Sequence, residues 1–151
     1  MNCKILSVYS LTSTKLHKLK DLPLLFIRLV LAYGFWGPAM MKWNNINAIA
    51  DWFKDMGIPF PVVNAYLAAT TELTGSVFLL LGFATRLISL PLMIVMSVAI
   101  FSVHLPNGFE AGSNGFEIPL YYLIMLFTLF VYGPGRISIE SFLKRCSRSK
   151  C

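Results

Sequence analysis

Glu72 stands at the middle of an apolar run, Val62 to Phe83, that is long enough to cross a bilayer. A charged side chain at that depth costs at least about 2.5 kcal/mol, so such residues are usually paired, protonated or functional. Ala65, Ala68, Ala69, Gly75 and Ser76 recur with Glu72 at spacings of three and four, which places them on one helix face. Small residues let helices approach closely in lipid, so this stripe is expected to face other helices and to carry Glu72 inward with it. The carboxylate is then either a structural acid paired across helices or a proton- or ligand-binding group. Position alone leaves both open.

Two further sets of residues could do chemistry. Arg28, in the run Leu22 to Met41, lies roughly 9 Å inside the cytoplasmic boundary at about 1.5 Å per residue. It can snorkel to the headgroups or extend inward, and Arg28 with Glu72 forms the candidate polar pair of the interior. Toward the other boundary, Lys42, His104, Asn107 and Glu117 converge if the helices are antiparallel neighbours. They form the candidate ligand-binding mouth, with a histidine, the side chain that ordinarily titrates near neutral pH, among them. One histidine with two acids makes a poor metal site, and no metal is expected. Phosphate-binding loops, dinucleotide fingerprints, nucleophile elbows and HExxH are all missing from the chain. Haem held by two histidines is disfavoured because His17 lies outside the spans. Met40, Met41, Met93, Met96 and Met125 read as packing residues rather than copper(I) ligands.

The elements that must hold these residues are legible from hydropathy and punctuation. The chain has 151 residues, 56% of them hydrophobic and only 13% charged, and a mean hydropathy of +0.67. A soluble domain carries roughly a quarter charged residues, so an integral membrane protein is expected. Four spans are predicted: Leu22–Met41, Val62–Phe83, Leu87 to about His104, and Phe116–Tyr132. Between the first two, Asn44 to Met56 spaces Ile46, Ile49, Trp52, Phe53 and Met56 as a short amphipathic helix on the membrane surface. Gly57-Ile58-Pro59-Phe60-Pro61 then turns the chain back. Ala84-Thr85-Arg86 is so tight a link that the second and third spans must form an antiparallel hairpin.

Charge sets the orientation. Lys4, Lys15, Lys18, Lys20, Arg86, Arg136, Lys144, Arg145, Arg148 and Lys150 fall in the two tails and the tight turn, against Lys42 and Lys54 in the outer loops. The positive-inside rule therefore puts both termini in the cytoplasm. The net charge of +6 belongs to topology, and no nucleic-acid partner is expected. The expected organisation is a cytoplasmic tail over 1–21, a four-span domain over 22–135 and a basic cytoplasmic tail over 136–151. The opening residues lack the pattern of a signal peptide, so the first span is expected to serve as an uncleaved insertion signal. Cys3, Cys146 and Cys151 form no CxxC pair and read as incidental tail thiols.

Several of these segments resemble the DoxX family of small bacterial membrane proteins. Arg28, Gly34, Gly37 and Lys42 look like its first-helix pattern, and Gly57 to Pro61 like its turn into the second helix. Glu72-Leu73-Thr74-Gly75 with Leu80-Leu81-Gly82-Phe83-Ala84-Thr85-Arg86 is similar to its second-helix signature. His104 to Phe109 and Asn114 to Glu117 resemble its outer loop, and Gly133-Pro134-Gly135-Arg136 its end, so the likeness covers roughly 22 to 140. Ser76 departs from the pattern where glycine is common, and Phe116 and Ile118 flank Glu117 where tyrosines often occur. The resemblance implies an all-α, integral membrane four-helix bundle in a bacterial inner membrane. Some relatives are subunits of a thiosulfate:quinone oxidoreductase, and others act in oxidative-stress complexes or lie beside peptide-modification and metal-handling genes.

The leading expectation is an inner-membrane subunit that supports redox chemistry, binding quinone or a lipid-like molecule between its helices. Its partners would be the bilayer and a membrane or periplasmic protein, or a second copy in a homodimer. The alternatives are a non-enzymatic scaffold or maturation partner, and a small proton-coupled transporter.

Overall fold

The computed structural model describes residues 19–148. Cys3, His17, Cys151 and the tail lysines Lys4, Lys15, Lys18 and Lys150 lie outside that range. Among the described residues the chain is all-helical, with six α-helices and no strand. They are α1 (Asp21–Asn44), α2 (Ile46–Asp55), α3 (Pro61–Leu81), α4 (Thr85–Ala99), α5 (Glu117–Tyr132) and α6 (Ile139–Arg148). Two segments, Asp21–Asn44 and Thr85–Asn107, are long and apolar enough to cross a membrane.

Local sequence sets the boundaries. α2 stops at Gly57 (φ 74°), where Ile58 N–H reaches back to the Phe53 carbonyl, and Pro61 opens α3 at its first position. α3 ends in the same manner at Gly82 (φ 65°), with Phe83 N–H on the Phe78 carbonyl. α4 begins only three residues later, which makes the expected hairpin. Beyond Ala99 the helix loosens into a π turn, Ile100–His104, and then tightens into a single 3-10 turn, Leu105–Asn107.

The core draws on each long helix: Leu31, Ala32 and Phe35 of α1, Leu79 of α3, Leu92 of α4, and Leu126 and Leu129 of α5. α1 packs chiefly on α3 and α4 chiefly on α5, while α2 lies across α3. Of the small-residue stripe of α3, Ala65, Ala69, Glu72, Gly75 and Ser76 are buried, while Ala68 is half-buried. A Cβ on Gly75 would press on Leu92 at 2.8 Å, so the glycine permits this approach of α3 to α4. Ser76 Oγ donates to the Ala32 carbonyl at 2.9 Å and fixes the register of α3 on α1. The segment 136–151, expected to be only a tail, contains α6.

Candidate functional site: an ion pair in the wall of an apolar cavity

Arg28 and Glu72 both lie in the interior, but they do not pair. The Arg28 guanidinium donates to four carbonyls instead: Nε to Leu79 at 2.9 Å, Nη2 to Leu80 at 3.1 Å, and Nη1 to Pro134 at 2.9 Å and Ile137 at 2.7 Å. Two of these acceptors belong to the last turn of α3, where unsatisfied carbonyls and the helix dipole both favour a cation. The other two lie beyond α5. Arg28 therefore ties three segments together at the end where α3 turns into α4.

Glu72 takes Lys42 as its partner, with Nζ to Oε2 at 2.7 Å and side-chain exposures of 14% for the lysine and 3% for the acid. Helix geometry explains the choice. Side chains lean toward the N-terminus of their own helix, so Arg28 leans toward the start of α1 and away from Glu72. Lys42 leans back down α1 into the bundle. Glu72, on the antiparallel α3, leans outward to meet it.

The pair forms part of the wall of a cavity of about 630 Å³ that draws on α1 to α5. Phe35, Trp52, Phe53, Met96 and Tyr122 supply much of its apolar lining. α2 closes one side through Ile49, Trp52 and Phe53, with Met56 just beyond its end, so its apolar face covers the cavity. Phe35 and Tyr122 meet edge to face, with ring centroids 5.5 Å apart.

The expected outer cluster is only partly assembled. His104 lines the cavity with Lys42 and Glu72. Its Nδ1 is 2.8 Å from the Asn114 carbonyl oxygen. A carbonyl only accepts, so Nδ1 carries the proton, and in the neutral ring Nε2 is left as an acceptor. Glu117 and Asn107 are not among the lining residues; they order the loop. Glu117 accepts from Ala111 N–H at 3.0 Å and from the Tyr121 hydroxyl at 3.0 Å. Asn107 donates to the Val103 and Asn114 carbonyls, both at 3.3 Å. The π turn that ends in His104 is a feature often found at functional sites. Among the described residues no three His, Cys, Asp or Glu side chains gather as a metal site would require.

Sequence reasoning missed the contribution of α2 and the Lys42–Glu72 pairing. The signal for the first was present, because the aromatic face of α2 is the one that turns to the cavity. The second required the side-chain lean, not only the distance along the helix axis.

Residues 23–105 match the DoxX family model. Two uncharacterized proteins of Haemophilus influenzae strain Rd are similar to the chain. One is 33% identical over 135 residues, covering 84% of this chain and 87% of its own length. The other is 31% identical over 131 residues, covering 83% of this chain and 94% of its own. No solved structure matches. With the match running over most of α1 to α4, and relatives aligned along most of their length, the chain belongs to the DoxX family.

Proposed function

We propose that the chain is a four-span bundle of the bacterial inner membrane, with both termini cytoplasmic, that binds a quinone or lipid-like molecule in the cavity and serves as the membrane subunit of a redox system. The observation that carries this reading is the ion pair, Lys42 with Glu72, in the wall of a mainly apolar cavity of about 630 Å³. Such a site offers an apolar body somewhere to lie and gives its polar head one donor and one acceptor. A quinone has that form. Its reduction takes up protons and electrons in equal number, so the head group needs proton-exchanging neighbours, and His104 and Glu72 are of that kind. The electrons would come from a partner protein.

The membrane part of the proposal draws on the inside-out distribution of polarity. Arg28, Glu72, Ser76, Thr85 and Ser89 are buried, while large apolar side chains such as Tyr33, Leu87, Ile94 and Phe101 are exposed. Thr74, exposed, and Thr70 and Thr128, half-buried, return their hydroxyls to carbonyls of their own helices, as polar groups near lipid must.

Quinone titration of the purified protein tests the reading. Trp52 lines the cavity, so its fluorescence should be quenched by added quinone. The paired substitution Lys42→Met with Glu72→Gln should weaken that response about tenfold or more. Organic extraction of the protein from native membranes should also yield quinone or lipid in stoichiometric amount. Unchanged tryptophan fluorescence together with an empty extract would sink the proposal.

A further inference from the structure

We propose that α6 is an interfacial helix that docks on anionic lipid, at the cytoplasmic headgroup layer beside the end of the bundle held by Arg28. The inference rests on the membrane reading above. Ile139, Phe142, Leu143 and Cys146 follow one another at spacings of three and four and so share one helix face. That face is uncovered: Ile139 is 40% exposed, Phe142 68% and Leu143 50%. The helix is nevertheless fixed to the protein by polar groups. Ser138 and Ser141 Oγ both donate to the Gly135 carbonyl at 2.9 Å, and Glu140 N–H donates to the Gly82 carbonyl at 3.3 Å. α6 is thus held in place with its apolar face turned outward.

Two observations identify what covers it. Leu81, Phe83 and Ile137, beside the Gly82–Glu140 contact that anchors α6, are exposed as well, so apolar surface of the kind proposed above to meet lipid adjoins the point where α6 is held. The charge is also one-sided: residues 139–151 carry Glu140 against Lys144, Arg145, Arg148 and Lys150. Glu140 is engaged by Lys144 at 2.6 Å, so the segment as a whole remains basic. A leaflet with anionic headgroups takes both the apolar face and the cations beside it.

The test uses the full chain with Cys3→Ser and Cys151→Ser, an environment-sensitive dye on Cys146, and nanodiscs of phosphatidylcholine with or without phosphatidylglycerol. Brominated acyl chains serve as the quencher. Strong quenching of the dye is expected in the discs containing phosphatidylglycerol. It should fall at least twofold in phosphatidylcholine alone, and by as much when Lys144→Gln and Arg145→Gln are combined. Equal quenching in both lipids would overturn the charge argument. A dye that stays unquenched in every disc, and is shielded only in native membranes, would assign the face to a protein instead. Intrinsic fluorescence separates the two levels of the argument. Trp36 lies on α1 and is 48% exposed, so the same brominated chains should quench it whatever the headgroup. If they do not, it is the membrane reading that fails.

Discussion

At the scale of single residues, the interior is governed by where each cation finds its counter-group. Lys42 and Glu72 are unequal partners, because the acid is the more deeply buried of the two. Lys42→Met leaves the Glu72 carboxylate uncompensated in an apolar wall and is expected to cost about 3–5 kcal/mol. Glu72→Gln should cost less, since a lysine side chain can swing its ammonium toward the boundary. The double substitution should be milder than Lys42→Met alone, because no uncompensated charge remains. Thermal unfolding in detergent of the four proteins checks this order, and a double variant worse than either single one would refute it. The importance of Glu72 was legible in the sequence from its depth and its small-residue stripe. Its partner was not, because Arg28 and Lys42 lie at comparable distances and only the lean of the side chains separates them. Nor was the fate of Arg28 legible, because all four of its acceptors are backbone carbonyls, which side-chain identities do not reveal.

At the scale of elements, the end of the molecule where α3 turns into α4 is a joint built from Gly82 and Arg28. Gly82 combines a positive φ of 65° with a place directly against the guanidinium, where an added Cβ would collide with the Arg28 head. Gly82→Ala is therefore expected to cost about 1–2 kcal/mol from the backbone alone, and to displace Arg28 as well. Arg28→Lys keeps the charge but cannot span four carbonyls in two segments. Because each change disrupts the same joint, the double variant should be less damaging than the sum, with a coupling of about 1 kcal/mol. Strict additivity in a double-mutant cycle would show that the two positions act separately. The helices themselves were legible from apolar runs closed by Gly and Pro, to within a few residues at each end. The π turn before His104 was not, since it follows from how α4 and the loop settle. α6 was written in the spacing of Ile139, Phe142, Leu143 and Cys146 but masked by the charges around it.

At the scale of the whole molecule, polarity and charge run along one axis. Arg86 caps the Val131 carbonyl at 3.1 Å, and Asp21 accepts from Arg136 N–H at 3.0 Å, both at the end where Arg28 closes the bundle. Lys42, His104 and α2 mark the opposite end. The membrane class and this polarity were legible from composition and the placement of Lys and Arg; the cavity was not, because it arises only where α2 folds back over the gap between helices. If the basic end is cytoplasmic, a thiol placed on the polar side of α6 must be out of reach of an impermeant maleimide in spheroplasts, while one on the exposed side of α2 must react. Lys144→Cys, at a side chain 73% exposed, and Asp51→Cys, on the exposed side of α2, provide these reporters in a background lacking Cys3, Cys146 and Cys151. Asp51→Cys should label in intact spheroplasts, and Lys144→Cys only after the membrane is permeabilised. The opposite pattern would invert the bundle and open the cavity toward the cytoplasm. Its ligand would then have to be sought among cytoplasmic redox partners, not in the outer half of the bilayer.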